Sequence, residues 1–220
     1  MHSRHLPQDG LLWAGIMLLF TVPLPVETSP AAMLAPGFWP MPIMRSVLVL
    51  VLIRFRRGRT GRSSWGIGRA AFVSGALLLL LVAAALLVDV SLGALAPFAA
   101  VPVAPAAREP MDVLLMWALA IPGLSLAALA EERFFREYTL GLMEERGVPE
   151  PICLPASALI FGAGHLGGGI PSAVFAVLAG LFLALVYSKA ASVIPGAIAH
   201  GLYNLLLLLG LAAGAPMGPS

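Results

Sequence analysis

Two adjacent carboxylates, Glu131 and Glu132, close an apolar run over residues 111–130, and Arg136 follows four residues after the second. Two later apolar runs each hold isolated polar groups: His165 stands four residues after Phe161, and Asn204 four residues after His200. Charge withdrawn from water costs several kcal/mol unless it is paired or put to use, so these side chains need partners. The chain has four histidines, two of them in its polar head, and Asn204 is its only asparagine. A carboxylate beside an imidazole can move protons and activate water. Two imidazoles and a carboxylate are also a zinc ligand set that leaves one position for water. We therefore read the three clusters as one active site.

The elements that must position this site are membrane spans. Of 220 residues, 60% are hydrophobic and only 11% charged, against a charged fraction of about 25% in soluble domains. Several runs reach the roughly 18 apolar residues that mark a span. The expected fold is all-α, a polytopic bundle of about seven spans in the lipid bilayer. Its N-terminal helices and basic loop occupy residues 1–65, and the core with the three motifs occupies residues 66–220. The arginines cluster in loops rather than on one face, which gives no reason to expect a nucleic-acid partner. Cys153 is the single cysteine, so it can form no internal disulfide, and we read it as packing.

The spans are expected over residues 11–26, 38–53, 66–88, 111–130, 153–165, 171–187 and 192–213. The first follows a short basic head and is read as an uncleaved helix rather than a leader. Residues 54–62 carry five arginines and no acid, which places that loop, and with it the N-terminus, on the cytoplasmic side. Prolines at 97, 102, 105 and 110 make residues 89–110 an external loop or broken segment. The helix of the two carboxylates is expected to continue to Glu145 and to stop at Gly147, Pro149 and Pro151.

Helix rise brings the motifs to one depth. Residues 131–146 descend roughly 22 Å and residues 151–165 climb back roughly 21 Å, at 1.5 Å per residue. His165 thus returns to the level of Glu131. His200 enters the membrane shortly after Pro195, and Asn204 lies one turn further on the same face. In hydrocarbon each of these groups must find a hydrogen-bond partner, so each should face the interior of the bundle.

Glu131 to Arg136 fits the pattern EExxxR, Phe161 to His165 fits FxxxH, and His200 to Asn204 fits HxxxN. In this order and rough spacing the chain resembles the CPBP family, which comprises CAAX prenyl endopeptidases and bacterial bacteriocin-processing or self-immunity (ABI) proteins. The resemblance covers about residues 111–208, and the first hundred residues carry no such motif. It implies an intramembrane endopeptidase acting on a membrane-bound peptide or protein substrate: a CAAX-like tail, a peptide leader or a C-terminal sorting tag. Richness in alanine, glycine and proline suggests a bacterial source and the inner membrane, where a prenylated tail is the least expected of the three.

Glu132 and Arg136, spaced i, i+4, can form an intrahelical ion pair. That leaves Glu131 as general base, with His165 sharing the proton of a water between them. His200 and Asn204 would then donate to the developing oxyanion, roles that the resemblance also implies. Phe161 is read as a wedge that sets the His165 rotamer, and Arg133 and Glu137 as interfacial charges. The expected cofactor is none. Zinc on Glu131, His165 and His200 is the alternative, which the lack of an HExxH pattern and the amide at Asn204 disfavour. A non-catalytic immunity factor or scaffold, and a small proton transporter, remain the rival functions. Oligomeric state is not legible.

Overall fold

Proline and glycine punctuate the apolar runs of this chain, and the helices begin and end at them. The computed structural model describes residues 6–22, 29–54, 65–92 and 109–213. Its helices are α1 (Leu6–Thr21), the short α2 (Pro30–Met33), α3 (Pro40–Arg54), α4 (Ile67–Leu92) and α5 (Pro110–Glu132). A π-helical segment (Arg133–Thr139) joins α5 without a break to α6 (Leu140–Glu145), followed by α7 (Glu150–Ala163), α8 (Gly169–Ala190) and α9 (Ile194–Ala212). Single 3₁₀ turns cover Pro36–Phe38 and Leu166–Gly168. There is no strand among the described residues. Pro110, Pro151 and Pro195 fall in the first two positions of α5, α7 and α9, where a missing N–H costs no helical hydrogen bond. Gly147, at φ +76°, turns the chain between α6 and α7.

Among the described residues, seven apolar helices correspond to the expected spans, but they are not equal. Five are long and apolar enough to cross a membrane, namely Pro36–Arg54, Ile67–Ser91, Pro110–Glu145, Leu166–Ala190 and Ile194–Ala212. The stretches Asp9–Thr21 and Glu150–Ala163 are shorter. The protein is therefore an integral membrane protein, with large side chains such as Phe72, Leu79 and Leu114 on its outer surface. Facing water, so many exposed apolar groups would drive association, whereas facing acyl chains they are at home. The arginine cluster lies outside the described residues except for Arg54, as does the proline-rich stretch from residue 93 to residue 108. The described part of that stretch, Asp89–Leu92, is helical, so α4 runs a turn further than expected.

Packing is tightest around α7 and α8, which form the most extensive helix pair. A Cβ on Gly180 would stand 3.2 Å from the Ala158 Cα, and one on Gly162 would collide with Val177 and the Ala173 carbonyl. Small residues let the two backbones approach, as is usual where helices associate without a hydrophobic driving force. One buried cluster joins α1, α3, the π segment and α7 through Ile16, Val49, Phe134, Phe135, Tyr138 and Phe161. A second joins α4, α8 and α9 through Leu77, Leu81, Leu183, Ala199 and Tyr203. The end of α5 lies between them.

Candidate active site

Glu131 and Glu132 occupy the last turn of α5, just before the helix widens into its π segment. Such segments recur at functional sites because they re-aim side chains without ending the helix. Glu132 is 1% exposed and Arg136 is 0% exposed, with the Arg136 Nε 3.4 Å from the Glu132 Oε2. The expected intrahelical pair is thus present and fully enclosed. Arg136 also donates from Nη1 to the Ser157 hydroxyl at 3.4 Å, and Ser157 in turn donates to the Phe135 carbonyl at 2.9 Å. The guanidinium carbon stands 5.0 Å from the Phe161 ring centroid, a cation–π contact that helps hold a buried cation.

His200 of α9 reaches this network from the other side. Its Nδ1 is 3.2 Å from the Glu132 Oε1 and its Nε2 is 3.7 Å from the Glu131 Oε2. The first distance is a hydrogen bond, with the imidazole donating to the carboxylate. The second is too long for one. Glu131 is the more open of the two acids, its side chain 17% exposed.

His165 follows α7 as the first residue beyond its cap. Its Nδ1 is 2.8 Å from the Phe161 carbonyl; since a carbonyl only accepts, Nδ1 carries the proton and Nε2 is left for other partners. The Phe161 ring lies 4.5 Å from the His165 ring and 6.0 Å, edge-on, from that of His200. It therefore packs against both imidazoles as well as Arg136, beyond the single rotamer-setting contact expected.

A cavity of about 490 Å³ opens beside these rings, between α4, α7, α8 and α9. Phe161, His165, His200 and Asn204 are on its wall. Here the structure departs from the expected convergence in two respects. Glu131 and Glu132 are not among the residues on the wall and adjoin it through His200, which contacts both. The imidazole beside Glu131 is that of His200 rather than His165, whose Nδ1 is committed to its own helix. Among the described residues, no three His, Cys, Asp or Glu side chains are gathered as metal ligands.

Two further polar residues, Ser157 and Glu137, are buried beside this network. Ser157 is fully buried and sits four residues before Phe161 and eight before His165, so the spacing 157, 161, 165 would have placed it on the same face. Glu137 was read as an interfacial charge, yet it is 7% exposed and pairs with Arg133 at 3.6 Å. It is enclosed because α1 and α3 pack over the π segment, with Trp13 donating to the Thr139 hydroxyl at 3.0 Å and Tyr138 to the Asp9 carbonyl at 3.0 Å.

The apolar bundle thus holds a carboxylate–imidazole network beside a cavity. Residues 113–206, which include all three motifs, match the family model described as type II CAAX prenyl endopeptidase, Rce1-like. The segment is similar to that family of endopeptidases, in agreement with the resemblance carried by the motifs. No curated protein and no solved structure matches the chain.

Proposed function

We propose that this protein is an intramembrane endopeptidase that hydrolyses a peptide bond of a membrane-anchored or lipid-bearing substrate, without a metal. The observation that carries this reading is His200, held by Glu132 through one ring nitrogen and facing Glu131 with the other, at the edge of a cavity lined by His165 and Asn204. Arg136 keeps Glu132 in place, and Glu132 fixes the His200 tautomer with its proton on Nδ1. That leaves the Nε2 lone pair toward Glu131. At 3.7 Å the two groups make no direct hydrogen bond, and in the proposed site both reach a water beside them.

In the proposed reaction Glu131 takes a proton from that water while its oxygen adds to the substrate carbonyl carbon. The side-chain amide of Asn204, and His165 when its Nε2 is protonated, donate to the oxygen that becomes negative. The tetrahedral intermediate then expels the amine, which receives the proton held by Glu131. Relative to the sequence-based reading, the two imidazoles exchange roles. The arginine cluster supports a cytoplasmic N-terminus in a bacterial inner membrane.

The test is to compare the membrane proteome of cells carrying the wild-type protein with that of cells carrying Glu131→Ala. A membrane-bound precursor should accumulate with the variant. If the variant is stably expressed and no precursor accumulates, the motif residues only brace the bundle and the protease reading fails.

A further inference from the structure

The cavity extends well beyond the histidines, and its far wall carries one charged residue. Asp89, near the end of α4, lines it together with Leu86 and Val88. The carboxylate is half-buried, and no described residue forms a hydrogen bond or ion pair with it. The wall includes no lysine or arginine. The buried Arg136 is already paired with Glu132. An acid held against a mostly apolar wall, with no counter-charge among the described residues, attracts a cation more strongly than one in bulk water.

The distance to the reacting end follows from helix rise. Leu81 packs with Leu183, Ala199 and Tyr203 at the level of His200, and Asp89 lies eight residues further along α4, about 12 Å away. An extended peptide covers that distance in about three to four residues. We propose that Asp89 is a specificity-determining residue that makes the far end of the cavity a subsite for a cationic substrate side chain, within about four residues of the scissile bond.

This subsite rests on the endopeptidase reading, so binding and cleavage are measured separately. The probes are N-palmitoylated, dansyl-labelled alanine hexapeptides in which a single Lys, Gln or Glu is scanned through the sequence. The wild-type chain, Asp89→Asn and Asp89→Lys are held in phosphatidylcholine nanodiscs, and binding is followed by dansyl anisotropy. With the wild-type chain the best Lys probe should bind about tenfold tighter than its Gln counterpart. Asp89→Asn should bring that ratio to about one, and Asp89→Lys should favour the Glu probe. A ratio that survives Asp89→Asn, an absence of Lys preference, or a failure of every probe to bind overturns the subsite. Selective binding without cleavage leaves the subsite standing and removes the protease. Cleavage of all three versions at equal rates does the reverse.

Discussion

Replacing Glu131 and Glu132 one at a time by glutamine separates two roles that adjacent carboxylates would otherwise share. Glu132→Gln leaves Arg136, which is 0% exposed, without its counter-charge. Breaking a buried pair by removing one partner costs about 3–5 kcal/mol. For a chain of this size each kcal/mol moves Tm by about 2–4 °C, so the expected fall is about 6–20 °C. Glu131→Gln removes the more exposed charge, 17% exposed, while Arg136 keeps its ion pair with Glu132, so a smaller cost of about 1 kcal/mol is expected. Thermal unfolding of the purified variants in detergent gives the stability comparison, and precursor accumulation in cells gives the activity. Both variants should be inactive, but only Glu132→Gln should be strongly destabilised. The reasoning is refuted if Glu131→Gln unfolds as early as Glu132→Gln, or if Glu131→Gln still processes substrate.

Three further outcomes follow from the same network. Ser157→Ala removes a hydroxyl that donates to the Phe135 carbonyl and accepts from Arg136, and should lower stability by about 1–3 kcal/mol in thermal or denaturant unfolding. A Cβ at Gly196 would stand 3.2 Å from the Glu132 Oε2 and 3.2 Å from the Leu183 Cδ2, so Gly196→Ala should shift the carboxylate by a few tenths of an ångström. The expected loss in kcat is about tenfold or more, since small displacements of a catalytic constellation are costly, with a Tm change smaller than that of Glu132→Gln. Finally, the purified protein should keep its proteolytic activity after exhaustive chelation, and a loss that zinc restores would return the metal scheme to consideration.

The helices were legible in the sequence because apolar length and proline placement are local signals. The continuous element from Pro110 to Glu145 and the turn at Gly147 are read directly from neighbouring residues. The ion pair of Glu132 with Arg136 was legible for the same reason, since a spacing of four on one helix needs no knowledge of the rest of the bundle. Contacts between helices were not. Rise per residue sets the depth of His165 and of His200, but which of them meets Glu131 depends on how α5 and α9 are rotated about their axes. Likewise Glu137 looks like a surface charge until α1, more than a hundred residues earlier, covers the segment that carries it.

That covering explains why the helix widens where it does. Six consecutive residues, Phe134 to Thr139, are buried, whereas an α-helix in a bundle usually turns one side outward. Phe20 packs on Phe134 and Phe135 from one side, and Phe161 packs on Phe135 from the other. The hydroxyl of Ser157 gives the Phe135 carbonyl a partner from a neighbouring helix, which matters where helical hydrogen bonding is altered and no water is at hand. Just upstream, Glu131 and Glu132 leave the helix about 100° apart, as consecutive residues at 3.6 per turn must. A single small side chain could not ordinarily engage both. The imidazole of His200 does so because its two nitrogens lie on different edges of the ring, one toward each acid. The order of the pair then has a consequence: the second glutamate, on the same face as Arg136, is neutralised and orients the ring, which leaves the first for the proton transfer of the proposed reaction.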